Sequence, residues 1–152
     1  MNNTTKDIVR KVVKDVLERF AFMFVDEPDG SEKADWSDDN LHAVISFNGE
    51  FRGRLSITAP VSFCTEVTAN VLGIDPEENA GEMACDALRE LINIICGELV
   101  VALYGNKPIF NLSIPTLDQI DSDRCRTLSA DPNHLQFSAD GTPILVGLSI
   151  TE

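Results

Sequence analysis

Apolar residues recur at Ile8, Val9, Val12, Val13, Val16, Leu17 and Phe20, which is the i, i+3, i+4 spacing of an amphipathic helix. The pattern predicts a helix from Thr5 to about Phe24, with Thr4 or Thr5 as N-cap. Its far end runs into the apolar AFMF, which predicts a buried terminus. The following VDEPDGSEKADWSDDN is acidic and carries Pro28 and Gly30, so an exposed loop is expected, its charge run a solvated face. LHAVISF and EFRGRLSIT then alternate apolar and polar residues on either side of Asn48-Gly49, a strong short-range signal for a hairpin turn. A second helix is predicted from Pro60 to Leu72, closed by Gly73. Asp75-Pro76 suits an N-cap followed by a first-turn proline, opening a long third helix that ends near Tyr104-Gly105.

Beyond that helix IFNLSIP reads as a strand stopped by Pro115, and DQIDSDRCRTLSADPN as a polar loop. HLQFSADGTPILVGLSI closes the chain as a second hairpin turning at Asp140-Gly141. The two hairpins echo one another, FNGEFRGRLSI against FSADGTPILVGLSI, a hint of internal duplication. These elements predict an α+β fold, a two-layer sandwich of a mostly antiparallel sheet with long helices packed on one face. The chain of 152 residues is expected to form a single domain over residues 1–152, large enough for one proper core.

Composition narrows the function. Hydrophobic residues are 43% and charged residues 24% of the chain, a globular balance. The formal net charge of −13 disfavours nucleic acid and anionic membrane surfaces, whose phosphates would be repelled. There is no apolar run of bilayer-spanning length, and MNNTTKDIVRKVVKD is too polar for a signal peptide. A cytoplasmic protein with reduced thiols is therefore expected. Cys64, Cys85, Cys96 and Cys125 form no CxxC pair, and the two histidines, His42 and His134, stand in strand-like runs. Neither a zinc site nor a Cys–His nucleophile is expected from that spacing.

The long helix carries the informative chemistry. At about 100° per residue, Asp86, Glu90, Asn93 and Gly97 fall within a sector of about 60°. Most of the remaining positions are apolar or small, so a helix fit for burial shows one narrow polar stripe, with Glu90 and Asn93 one turn apart. Gly97 extends the stripe without a side chain, although a mid-helix glycine costs about 1 kcal/mol relative to alanine. Two readings stand side by side. The stripe is either an ordinary solvated face with the glycine at a helix crossing, or a polar pair beside which another surface can approach closely.

The run Asp86-Ala87-x-x-Glu90-x-x-Asn93-x-x-x-Gly97 resembles the signature helix of the CheC, CheX and FliY family of bacterial chemotaxis phosphatases. Leu112-Ser113-Ile114-Pro115-Thr116 resembles the strand that follows the signature in CheX-type members, and the order of elements agrees from about Thr5 to Ile150. CheC-type members carry the Glu-x-x-Asn pair twice; this chain holds it once, and its first helix has none, so the resemblance is to the single-site CheX type. It implies removal of the aspartyl phosphate from a CheY-like receiver domain, Glu90 and Asn93 as catalytic residues, and a homodimer.

An asparagine amide offers a donor and an acceptor in one plane, which suits Asn93 to hold a water in line with a phosphoryl group, much as a glutamine does in GTPases. An ionised Glu90 would pair with the lysine of the receiver's active site and fix the register of the two proteins. Asp86 and Gly97 are expected as partner-binding support, the first at the rim and the second allowing close approach; a solvated acid and a packing glycine are their plainer readings. The expected protein has no metal or cofactor of its own, the divalent metal (Mg) coming with the receiver. The alternative from another class is a non-catalytic receiver-binding module, or a subunit of a signalling assembly, that uses the same helix for docking.

Overall fold

The computed structural model describes residues 1–28, 34–73, 75 and 81–151. Helix α1 spans Asn3–Phe20 and buries Val9, Val12, Val13, Val16 and Leu17, the face its spacing predicts. The N-cap is Asn2 and not a threonine: its Oδ1 accepts the Thr5 amide at 2.8 Å, satisfying one of the free donors of the first turn. The helix also stops earlier than expected. After Ala21 the backbone enters the left-handed region at Phe22, φ 55°, and the chain becomes extended. The AFMF run then alternates: Ala21 and Met23 are buried, whereas Phe22 and Phe24 are 69% and 68% exposed. Strand geometry sends successive side chains to opposite sides, so only half of that run meets the expectation of burial.

Strand β1 (Val25–Asp26) begins one edge of a sheet whose described strands number seven; the others are β2 (Asn40–Gly49), β3 (Arg52–Pro60), β4 (Phe110–Leu112), β5 (Thr116–Ile120), β6 (His134–Ala139) and β7 (Thr142–Thr151). The order is β1-β6-β7-β3-β2, with β4 and β5 sharing the outer side of β2, and every pairing is antiparallel. The closing hairpin turns at Asp140-Gly141 with φ of 47° and 83°, the paired positive values of the predicted two-residue turn. The first hairpin departs from expectation. Asn48 pairs with Arg52, so Gly49, Glu50 and Phe51 form the loop, and neither Asn48 nor Gly49 has positive φ. Gly49 serves close approach instead: a Cβ there would lie 2.5 Å from the Ile109 carbonyl oxygen, beside the residue with which it pairs in β4, Phe110. The echoing Leu-Ser-Ile segments lie on the paired strands β3 and β7 and meet at their leucines, Leu55 opposite Leu148.

Pro115 does not end the pairing along β2. Ser113 bridges β4 and β5: its amide donates to the Ser46 carbonyl, and its Oγ accepts the Ser46 amide, both at 2.9 Å. The stretch expected to be a polar loop supplies most of β5 and the helix α4 (Ser122–Ser129), capped by Asp121, whose Oδ1 accepts the Arg124 amide at 2.9 Å. Cys125 and Leu128 of α4 pack with Trp36 and Leu145 on the sheet face opposite the long helices. So few apolar residues give no periodicity; tertiary packing makes this helix.

Helix α2 (Val61–Leu72) follows Pro60 and ends at Gly73 in the left-handed conformation, φ 67°, as the sequence predicts. Helix α3 is described over Gly81–Tyr104; the expected start at Pro76, like Gly30 of the acidic loop, lies outside the described residues. Helices α1, α2 and α3 cover one face of the sheet. Ile45, Phe47, Leu55, Ile57, Val146 and Leu148 of the sheet meet Leu88, Ile92, Ile95 and Leu99 of α3 in the main core, giving the expected α+β arrangement.

Close packing makes one glycine of the sheet a sensitive test. A Cβ on Gly53 would stand 2.3 Å from the tip of the Phe47 ring and 2.8 Å from the Ser149 carbonyl oxygen. Gly53→Ala is therefore expected to lower unfolding free energy by about 1–3 kcal/mol in a urea titration; an unchanged midpoint would mean that the ring swings clear at no cost.

Candidate functional site

Helix α3 is amphipathic in an unusual sense, since its open face is narrow. Ala84, Leu88, Leu91, Ile92, Ile95, Cys96, Leu99 and Val100 are buried. Along the other side lie Asp86 and Glu90, both exposed, and Asn93 and Gly97, both half-buried. The structure thus brings all four sequence-predicted residues to one solvent-facing line. Asp86 is engaged by Arg89 of the next turn at 3.1 Å, an exposed pair of little energetic weight. The side chains of Glu90 and Asn93 make no hydrogen bond or ion pair with any described residue. A Cβ built on Gly97 meets nothing within 4 Å. No described element crosses the helix there, so the plainer reading of this glycine as a packing contact fails.

The flanks of the stripe were not legible in the sequence. On the Glu90 side, α1, α2 and α3 enclose a groove of about 410 Å³, lined by Phe20, Val67, Val71, Leu72, Met83 and Ile94, with Asp86 and Glu90 at its margin. On the Gly97 side a smaller depression of about 260 Å³ lies against Val101, Pro108, Phe110 and Leu112. The signal for the groove was present but ambiguous: Val71 and Leu72 continue the apolar pattern of α2, yet they are 56% and 54% exposed.

Other candidate chemistry does not assemble. Burial pushes the Cys64 thiol up to about 12 and that of Cys96 to about 11, which leaves both protonated and unreactive at neutral pH. His42 and His134 lie on the sheet face turned away from α3. The His42 Nδ1 is 2.7 Å from the Thr58 hydroxyl, and the His134 Nδ1 is 3.7 Å from an Asp131 carboxylate oxygen. Burial lowers the pKa of both imidazoles. Among the described residues no three His, Cys, Asp or Glu side chains gather as a metal site, and no helix is long and apolar enough to cross a membrane.

An antiparallel sheet backed by three helices defines an α+β protein, and among the described residues the polar stripe of α3 lies on an open helix face. The family model described as chemotaxis phosphatase CheX matches residues 41–137, a span that takes in the whole of α3 and more than half of the chain. The chain belongs to the CheX family of chemotaxis phosphatases.

Solved structures share the fold. A CheC-like superfamily protein from Shewanella sp. PV-4 superposes with a TM-score of 0.73 at 18% identity, covering 100% of each chain. CheX from Vibrio vulnificus gives 0.72 at 16% identity, covering 97% of this chain and 99% of that one. CheX in the CheX–CheY–BeF3–Mg2+ complex from Borrelia burgdorferi gives 0.67 at 20% identity, covering 97% and 98%. Among the curated proteins no match to this chain is found.

The open space at Gly97 has a direct consequence for stability. Gly97→Ala is expected to stabilise the fold by up to about 1 kcal/mol, the helix-propensity difference with no steric cost against it. A rise in the thermal midpoint is the expected readout; a fall would show that the glycine is needed by the fold itself.

Proposed function

We propose that this protein hydrolyses the aspartyl phosphate of a CheY-like receiver domain, using α3 as the inserted element. The observation that carries the reading is the pair Glu90 and Asn93, one turn apart on an open face and without partners among the described residues. Groups that no described residue of their own chain satisfies can satisfy those of another. Membership of the CheX family supports the reaction class, and a fold shared with a protein solved together with CheY supports the kind of partner.

In this reading the receiver supplies the acyl phosphate, the divalent metal (Mg) and a lysine, and the protein brings no metal or cofactor of its own. Asn93 holds a water through its amide, whose oxygen accepts a hydrogen bond from the water and orients the water's oxygen toward phosphorus, both water protons staying with the phosphate. The water oxygen bonds to phosphorus as the bond from phosphorus to the aspartyl oxygen breaks, so the products are the free carboxylate and inorganic phosphate. Glu90 pairs with the receiver's lysine and sets the register that puts Asn93 in line. Asp86 stands at the rim of the contact, and Gly97 lets the receiver's backbone come close. The reaction takes place in the cytoplasm.

The reading includes a homodimer. The outer side of β4 and β5 is an open sheet edge among the described strands, and Ile109 and Ile114 beside it are 85% and 86% exposed. An open apolar edge favours pairing with another strand, and a second copy of the chain is the partner proposed. Light scattering is expected to give twice the chain mass, falling to one chain mass in Ile114→Lys; a monomeric wild-type protein at high concentration would remove the dimer from the reading.

Activity is checked by following acyl-phosphate loss from CheY-type receivers charged with acetyl phosphate. Acceleration by the wild-type protein should fall at least tenfold in Asn93→Ala, about 1.4 kcal/mol of transition-state stabilisation, with the fold unchanged. Glu90→Ala should weaken apparent affinity as well as rate. Full activity of Asn93→Ala would sink the mechanism. Stable binding without faster phosphate loss would leave a docking module in its place.

A further inference from the structure

We infer that the groove between α1, α2 and α3 is the site at which this protein reads its receiver, seating apolar side chains that flank the receiver's active-site lysine. This rests on the proposed phosphatase reading and deepens it. The groove is continuous with the Glu90–Asn93 stripe, because Asp86 and Glu90 stand at its margin while Phe20, Val71, Leu72 and Met83 form its walls. A partner that meets Glu90 while it brings a phosphoryl group to Asn93 therefore meets the edge of the groove.

Three ties hold the walls in place before any partner arrives. Arg19 of α1 donates to Glu98 of α3 at 2.6 Å. The Asn70 side-chain amide of α2 donates to the Ala21 carbonyl at 2.9 Å. Thr68, a hydroxyl in the lining, lies 2.9 Å from the Cys64 carbonyl and 3.3 Å from that of Met83, joining α2 to α3. Its hydroxyl proton is committed to these internal acceptors, so a polar group pressed into the floor gains no donor from it and loses its water. The groove accordingly favours apolar side chains, and its volume of about 410 Å³ has room for more than one. At the margin Glu90 is paired with no cation among the described residues, so charge complementarity asks the occupant for a cation next to its apolar group. The lysine that the proposed reaction assigns to the receiver meets that demand, and the groove would then take an apolar side chain beside it.

Polar substitution of the exposed walls tests this without emptying the core, since Val71 and Met83 are both well exposed. Val71→Gln and Met83→Gln are assayed with CheY-type receivers charged with acetyl phosphate, beside Ile150→Gln as an exposed apolar control on β7. Each groove variant is expected to raise apparent KM about fivefold or more, the range of a residue central to an interface. Its kcat should stay within about twofold, since the lost contact is remote from phosphorus. Asn93→Ala should show the opposite division, and Ile150→Gln neither change. If the wild-type protein speeds decay and both groove variants keep its KM, the groove proposal is overturned and the phosphatase reading stands. If the wild-type protein binds receiver loaded with beryllofluoride without speeding decay, and the groove variants weaken that binding, the groove stands and the hydrolytic reading falls. Neither binding nor acceleration by the wild-type protein overturns both. A change in mass of the groove variants by light scattering also overturns the proposal, because a second copy of this chain would then be the occupant.

Discussion

The structure depends on the burial of one face of α3 against the sheet. Leu88, Ile92, Ile95 and Leu99 are almost wholly enclosed by strand residues such as Ile45, Phe47 and Leu55, and burial of such side chains is worth about 1.5–3 kcal/mol each. That enclosure fixes the rotation of the helix about its own axis. Once it is fixed, Asp86, Glu90, Asn93 and Gly97 can only face outward, because at 3.6 residues per turn they occupy the opposite side. The rigidity that the proposed reaction asks of this polar pair thus comes from the hydrophobic contacts behind it.

The same constraint explains why the site is so bare. A site that closes on its own substrate carries internal hydrogen bonds that orient each group, whereas Glu90 and Asn93 have none among the described residues. In the proposed reaction the missing partners belong to the receiver, so the active constellation exists only in the complex. An acidic chain with a net charge of −13 gains little from long-range attraction to most proteins. Local complementarity is left to select the partner, and the apolar groove beside Glu90, as the inferred receiver-reading site, supplies it.

Much of the fold could be read locally. The helical spacing of α1, the left-handed Gly73 after α2, the turn at Asp140-Gly141 and the apolar face of α3 all appear where periodicity and turn chemistry predict them. Two of the failures share one cause. Asn48-Gly49 has the chemistry of a two-residue turn, yet β4 approaches Gly49 so closely that the glycine is needed for space. The helix α4 has too few apolar residues to announce itself and forms because Trp36 and Leu145 receive Cys125. In each case a neighbour distant in sequence decided the outcome.

By itself the sequence determined which face of α3 is buried and which residues share the other, since helical geometry ties position in the chain to position around the axis. It also held the family resemblance, carried by that same spacing, that the match over residues 41–137 bears out. Tertiary structure alone decided what lies next to the exposed face. It left Gly97 open, left Glu90 and Asn93 without side-chain partners among the described residues, and drew the ends of α1 and α2 together into a groove at their side. Periodicity reports how one element is oriented; what covers or flanks that element depends on segments far away in the chain, brought near only by folding.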